Sequence, residues 1–311
     1  MKKSEKDAFG KPAVRAAQLQ MLRRVAQRLC DELEETDASA SVSEPMLHLL
    51  HGLPGTGKTE VLLMIKSMLE EVCGWQMGVE FQIMSLQAVT AQLFGGDTIH
   101  HACGINPFGQ KNDPKSAQKA AQRQTEVPER IARLRWIFID EISMVSAKLL
   151  AEIDMKLRTV MSDVCTMKKD SQGRTRAFGG INVMCCGDLW QLDPPSGGFL
   201  GSIPVEFMRM GMKFDAKPDI AHGQSIFWHE GEGCMQGVTE LTECVRTEDA
   251  WLLEVQQEMR RGQLSKDSWC FLHGYPTTVP GSWVNGAPSC GNDRRFQNWQ
   301  SFQTECQKCT L

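Results

Sequence analysis

A mostly parallel α/β sheet with helices on both faces is the fold this sequence predicts, and three observations predict it. Short apolar runs at Met46–Leu50, Phe81–Leu86, Trp136–Ile139 and Ile181–Cys185 have the length and composition of buried strands. Segments with apolar residues at helical spacing stand between them, which is the alternation a parallel sheet requires. A glycine loop, Gly52-Leu53-Pro54-Gly55-Thr56-Gly57-Lys58-Thr59, falls where the first strand passes into a helix.

The elements follow in order. Gln18, Leu22, Val25 and Leu29 recur at helical spacing and predict an amphipathic helix that ends before Asp37. Thr36–Ser43, rich in Ser, Ala, Asp and Glu, reads as a loop into the first strand. Glu60–Val72 predicts the helix after the glycine loop, and Phe81–Leu86 the next strand. Between Asn106 and Arg130 the chain turns polar and rich in Lys, Gln and Ala, which marks a small insertion before the strand at Trp136. Lys168–Gly173 reads as a flexible link to the strand at Ile181. From Gly274 onward the chain is rich in Gly, Pro, Ser and Trp with weak periodicity, and predicts no fold.

Composition bounds the function classes. The 311 residues are 41% hydrophobic and 23% charged, a globular balance that excludes disordered and collagen-like chains. The apolar runs are too short to span a bilayer, so a soluble, unsecreted, intracellular protein is expected. A net charge of −4 excludes a uniformly basic coat, though Arg130, Arg133 and Arg135 form a local cluster that could face a phosphate backbone. Twelve cysteines in a chain of this length are expected to be reduced. Cys306 and Cys309 form a CxxC pair to which Cys290 could add a third zinc ligand; His273 is a conceivable fourth, and free thiols are the alternative.

The glycine loop carries the clearest chemistry. Gly52, Pro54, Gly55, Thr56 and Gly57 allow backbone N–H groups to curl around an anionic phosphate at a helix N-terminus. Lys58 would reach the β- and γ-phosphates, and the Thr59 hydroxyl would ligate Mg²⁺. ATP with Mg²⁺ is the expected ligand. The apolar strand Trp136–Ile139 ends in Asp140 and Glu141; alone such a pair also begins solvated loops, but beside the phosphate loop it predicts a Mg²⁺ carboxylate, Asp140, and a catalytic base, Glu141. Gln191, after the strand at Ile181–Cys185, could sense the γ-phosphate or its water; a polar turn before Pro194-Pro195 is the alternative.

These segments together resemble the PIF (petite integration frequency) family of superfamily 1 DNA helicases, relatives of the RecD helicases. Gly95-Gly96-Asp97-Thr98-Ile99-His100 resembles the family's GGxTIH segment, and Asp140–Val145 its DEISM motif. Phe178-Gly179-Gly180, Gly187–Leu192, Leu241–Arg246 and Met259–Gly262 resemble later motifs. The resemblance implies a RecA-like ATPase domain over residues 15–235, after a polar tail at 1–14. Within it 106–130 would be a wedge-like insertion, and 236–311 would hold a partial second domain. It makes Arg246 an arginine finger, Gln18 (with Gln20 as competitor) the adenine-reading glutamine, and Thr98 and His100 DNA contacts. It also implies 5′-to-3′ movement on single-stranded or forked DNA in repair, recombination or telomere maintenance; the sequence does not fix the oligomeric state, and a monomer is the expectation. Its compartment would be the nucleus or mitochondrion in a eukaryote and the cytoplasm otherwise.

The sequence departs from the family at Ser85–Val89, where an APTG-type segment is usual, and at Asp193, which replaces a proline. Motifs of a full second RecA-like domain are not found. The competing reading is therefore an ATP-binding interaction module or a helicase fragment without unwinding activity. A P-loop kinase would need an acceptor site that the sequence does not display.

Overall fold

The first strand, β1 (Leu47–Gly52), is buried along nearly its whole length and pairs in parallel on both sides, so Leu47, Leu49 and Leu50 enter the core and its two histidines meet polar partners. The computed structural model describes residues 14–34, 44–105, 126–164, 174–202, 218–228, 235–247 and 249–272. Outside them lie residues 1–13 of the expected tail, the Thr36–Ser43 loop, positions 106–125 of the expected insertion, Lys168–Gly173, and His273, Cys290, Cys306 and Cys309.

Helix α1 (Ala16–Glu34) precedes β1, and α2 (Lys58–Ser67) follows the glycine loop and runs on as a π-helical turn, Met68–Val72. Then come β2 (Phe81–Ser85), α3 (Ala88–Leu93), β3 (Asp97–Thr98), α4 (Ile99–Ala102), α5 (126–132) and β4 (Trp136–Asp140). After these follow α6 (Ala147–Val164), β5 (Asn182–Gly187), α7 (Pro218–Trp228) and β6 (Gly237–Leu241). The sheet order is β3-β2-β4-β5-β1-β6, with every pairing parallel. Helices α8 (Ala250–Arg261) and α9 (Lys266–Leu272) belong to a second compact unit, Thr247–Leu311, the first being Met1–Arg246.

Alternation along the strands divides the core in two. Trp136 and Phe138 of β4 face one side, where they stack at 5.7 Å and meet Met21 and Val25 of α1 and Val61, Leu62 and Ile65 of α2. Ile137 and Ile139 face the other side, against Ile131 of α5, Ile153 and Leu157 of α6 and Phe227 of α7. Helices on both faces of a parallel sheet are thus observed. Each fully buried large apolar side chain contributes roughly 1.5–3 kcal/mol.

Two polar hubs fix the layers. Asn182, at the start of β5, accepts from Met46 N at 2.8 Å and Arg28 Nε at 3.1 Å, and donates to the Arg135 carbonyl at 3.1 Å and to Glu32. It thereby ties α1 to the N-terminal edge of the sheet. On the other face the fully buried Asp154 of α6 accepts from Phe178 N at 2.6 Å and Arg158 Nε at 2.8 Å, and pairs with His222 of α7 at 2.8 Å. The Phe178-Gly179-Gly180 segment is a turn held by this carboxylate, with Phe178 at φ 50°.

Two expected boundaries differ. Residues 126–130 are part of α5, whose Val127 and Ile131 are buried in the core, because the apolar spacing of 127, 131 and 134 outweighs the polar composition before it. The division expected after 235 falls just before β6, which pairs with β1, so the first unit runs to Arg246. Among the described residues no helix is long and apolar enough to cross a membrane.

Buried His48 on β1 generates a pH dependence. Its Nε2 lies 2.8 Å from Thr239 Oγ1, and burial, aided by the nearby Arg24 charge, lowers its pKa to about 4. Between pH 4 and 6.5 the unfolded chain binds a proton that the folded chain does not, so His48 makes stability rise with pH through that window. We expect His48→Gln to flatten this slope. Urea unfolding midpoints at pH 4.5 and 7 measure it, and an unchanged slope would refute the assignment.

Candidate functional site

The glycine loop leaves β1 at Gly52 and enters α2 at Lys58, with Gly55 and Gly57 at φ 80° and 85°. These left-handed angles suit glycine, and neighbours crowd both positions. A Cβ on Gly55 would lie 2.9 Å from Arg246 Cβ, and one on Gly57 2.4 Å from Gln18 Nε2. Thr56 turns inward and its hydroxyl donates to the Leu53 carbonyl at 2.8 Å, which braces the loop. Pro54 is half-buried and Thr59 exposed at the first turn of α2. Lys58 Nζ donates to the Gly52 and Leu53 carbonyls at 2.7 and 3.1 Å, so the loop's own oxygens hold its ammonium.

Around Lys58 the other strands end in acids. Burial lowers the Lys58 pKa, and the charges of Asp188, Glu141 and Asp140 oppose that shift. Asp140 closes β4 and is 4% exposed; burial and the adjacent Glu141 raise its pKa to about 6, against the pull of the Glu141 backbone and Lys58. Glu141 follows with φ 55° and ψ 52°, a left-handed turn that carries it out of the strand. That turn packs on β5 because Gly187 lacks a side chain: a Cβ there would meet Ile142 N at 2.9 Å. Burial pushes the neighbouring Cys185 up to about 12 and Cys186 well above the ordinary thiol value, so these are packing thiols.

Asp188, after β5, begins a tight loop. Its Oδ1 accepts from Trp190 N at 3.1 Å, and Gln191 N donates to its carbonyl at 3.0 Å. Gln191 is half-buried, whereas Trp190 and Leu192 are 69% and 71% exposed. On the opposite side of β1, Val245 N donates to the Gly55 carbonyl at 2.8 Å, which brings Arg246 against the loop with an exposed side chain. Gln18 of α1, 2% exposed, donates to the Gly57 carbonyl at 3.3 Å and accepts from Arg15 N at 2.9 Å; Gln20 is exposed and turned to solvent.

The structure therefore brings Gln18 and Arg246 onto the Gly52–Thr59 loop and Asp140 and Glu141 near Lys58, with Gln191 in the turn that Asp188 begins at the same strand ends. Thr98 and His100 stand elsewhere, beyond β2. The Thr98 hydroxyl accepts from His101 N at 3.3 Å and caps α4. His100 helps to line a cavity of about 380 Å³ with Leu86, Ile105, Met144, Ser146 and Lys148. Arg130 of α5 donates to the His101 and Ala102 carbonyls, both at 2.8 Å, and closes the end of that helix. Sequence reasoning noted Asp188 only as the acid of the Gly187–Leu192 segment, without a role, and missed His51. The acid of the Gly187-Asp188 step and the histidine beside Gly52 were the signals available.

A parallel sheet with a phosphate loop after β1 and an acidic end on β4 defines a P-loop nucleotide-binding domain. A model of the PIF1-like helicase family matches residues 31–198, and the chain belongs to that family. It is 29% identical over 219 residues to the ATP-dependent DNA helicase RRM3 of Saccharomyces cerevisiae, over 70% of this chain and 25% of that protein. With the human ATP-dependent DNA helicase PIF1 it shares 26% over 216 residues, 70% of this chain and 27% of the relative. The crystal structure of the Candida albicans Pif1 helicase superimposes with TM-score 0.53 at 21% identity, over 86% of this chain and 49% of that one. The Bacteroides Pif1 complex with ADP-AlF3 and ssDNA does so with TM-score 0.50 at 17% identity, over 96% and 58%. The chain thus spans about a quarter of these two curated relatives.

The close approach at Gly187 can be tested. Gly187→Ala forces the Glu141–Ile142 turn away from β5, and overpacking of this kind costs about 1–3 kcal/mol. We expect a lower denaturant midpoint with an unchanged m-value; a wild-type midpoint would show that the turn yields freely.

Proposed function

We propose that this chain carries the ATP-hydrolysing domain of a DNA helicase, in which the crevice at the ends of β1, β4 and β5 binds ATP and Mg²⁺. The observation that carries the reading is the convergence of Lys58, Asp140, Glu141 and Asp188 with Arg246 packed on the phosphate loop. Lys58 and Arg246 offer cations for phosphate oxygens, and Asp140, Glu141 and Asp188 offer carboxylates for a metal cation and a water, the two halves of a Mg²⁺–nucleotide site. Family membership and the nucleotide-bound fold relative support the same reading.

The residues fit the ligand. Lys58 exchanges the Gly52 and Leu53 carbonyls for phosphate oxygens, and the loop amides then face the phosphates. The Thr59 hydroxyl and Asp140 make a short oxygen set of the kind that Mg²⁺ accepts beside phosphates and water. Buried Asp140, which already has the Lys58 charge nearby, would gain a second counter-charge there. When bound, Mg²⁺ supplies Lewis-acid neutralisation of the phosphates. Glu141, carried clear of the strand, takes the proton of the attacking water. Arg246 neutralises charge growing on the γ-phosphate, Gln191 registers its presence, and Gln18 reads the adenine beside Gly57.

Single-stranded DNA is the proposed partner, as the relatives' names and complexes suggest. On this reading Thr98 sets the angle of α4, and His100 and Lys148 present polar groups to the strand at the rim of the cavity. Coupling of hydrolysis to 5′-to-3′ movement and duplex separation belongs to the proposal for the whole protein. A chain that binds ATP without DNA-stimulated turnover would instead be an ATP-dependent interaction module.

Two substitutions test the site. Lys58→Ala should abolish Mg²⁺-dependent ATP hydrolysis, measured with and without single-stranded DNA, while circular dichroism stays native; retained turnover would remove the phosphate-loop argument. Glu141→Gln should keep ATP affinity within about threefold and lower turnover by at least about 10²-fold, the usual worth of a general base. Equal loss of binding and turnover would mean that the carboxylate only shapes the loop.

A further inference from the structure

His51 is the last residue before the first glycine of the phosphate loop, and its backbone lies between Gly187 of β5 and Glu240 of β6. Its side chain is only 12% exposed, so a polar ring here needs partners. Nε2 accepts from Leu189 N at 3.4 Å and stands 3.4 Å from Asp188 Oδ1. Nδ1 lies 3.7 Å from Glu240 Oε1 on the edge strand. With Nε2 accepting, the proton resides on Nδ1 and faces Glu240, a tautomer assigned from these contacts.

The ring therefore spans three parallel strands at the level of the site. On one side it holds the backbone amide of Leu189, inside the turn Asp188–Gln191 that Asp188 closes through Trp190 N and the Gln191 amide. On the other it meets β6, four residues before the Cys244-Val245-Arg246 segment that packs on Gly55. Leu189 packs against the core while Trp190 and Leu192 are exposed, so the histidine bond adds a polar restraint at the start of the turn that carries Gln191.

We propose that His51 is a positioning residue for ATP hydrolysis: it registers the Asp188–Gln191 turn against the strand that bears the phosphate loop. This rests on the reading of Gln191 as the group that meets the γ-phosphate. His51 touches no phosphate itself, so its loss should slow turnover and leave nucleotide affinity in place. Glutamine places an amide oxygen near the position of Nε2 and can accept the Leu189 N–H, whereas leucine fills the space and accepts nothing.

The experiment compares wild type, His51→Leu and His51→Gln. For His51→Leu we expect kcat to fall about five- to tenfold, the worth of one part-buried hydrogen bond, with KM and ATP affinity within about twofold. His51→Gln should recover kcat to within about twofold of wild type. The second readout is acrylamide quenching of the fluorescence assigned to Trp190 by subtraction of a Trp190→Phe chain. His51→Leu should raise that quenching and His51→Gln restore it. Equal defects in both variants, a rise in KM at constant kcat, or unaltered kcat and quenching in His51→Leu would overturn the proposal. If the wild-type chain shows no turnover, the functional reading fails, and the quenching comparison alone decides whether His51 holds the turn.

Discussion

The parallel pairing of β1 on both of its sides is the constraint on which the rest depends. With β5 on one flank and β6 on the other, the register sets His51 opposite Gly187 and Glu240, and Gly52 opposite Leu241. Parallel strands present their carboxyl ends at the same edge, so every segment that leaves the sheet there converges on the loop that leaves β1. Asp188 arrives from one side and Val245 from the other, although they are 57 positions apart in the chain. No local preference could bring them together. Leu47, Leu49 and Leu50 hold β1 in the middle of the covered sheet, and its two histidines are accommodated there because each meets polar partners.

That edge concentrates charge where burial penalises it. Lys58 and Asp140 are each displaced from their ordinary titration by desolvation, in the directions that favour the neutral forms. Their mutual attraction offsets part of the cost, and the loop carbonyls of Gly52 and Leu53 satisfy the ammonium in the absence of ligand. A buried ion cluster of this sort does not strengthen a fold relative to apolar packing. The stabilising work is done elsewhere, by the two apolar layers and by the Asn182 and Asp154 hubs, each centred on a buried side chain.

What was legible in the sequence was what depends on neighbours in the chain. The four strand runs, α1, α2 and the phosphate loop were all visible from spacing and composition, and each lies within a residue or two of its expected place. β6 was not, because Gly237-Val238-Thr239-Glu240-Leu241 is half exposed at an edge and reads as ordinary loop until its partner is known. α5 was hidden for a different reason: its apolar positions follow a long polar stretch whose composition dominated the window. In the site, glycines and acids announced themselves by motif, while His51 did not. A histidine on an apolar strand is uninformative until Leu189, Asp188 and Glu240 are brought beside it from distant sequence. Asp154 is similar, since beside Arg158 it resembles an ordinary surface helix pair, yet it is fully buried and holds the Phe178 turn.

The start of α1 shows how the loop is made ready before any ligand arrives. Arg15 reaches Glu243 at 3.3 Å, just beyond β6, while its backbone amide donates to Gln18, whose own amide donates to Gly57. The loop is thus held at Gly57 from α1 and at Gly55 from Val245, and the two holds are linked through the Arg15–Glu243 pair. A glycine-rich loop free in solution would lose more backbone entropy on binding than almost any other segment. Here folding has already met that cost, so ligand binding need not order the loop. The same clamp makes Gln18 and the Arg246 segment parts of one structure rather than separate contacts. A nucleotide that shifts either end of the loop would therefore load the other, and that coupling comes from the topology of β1 and its two neighbours.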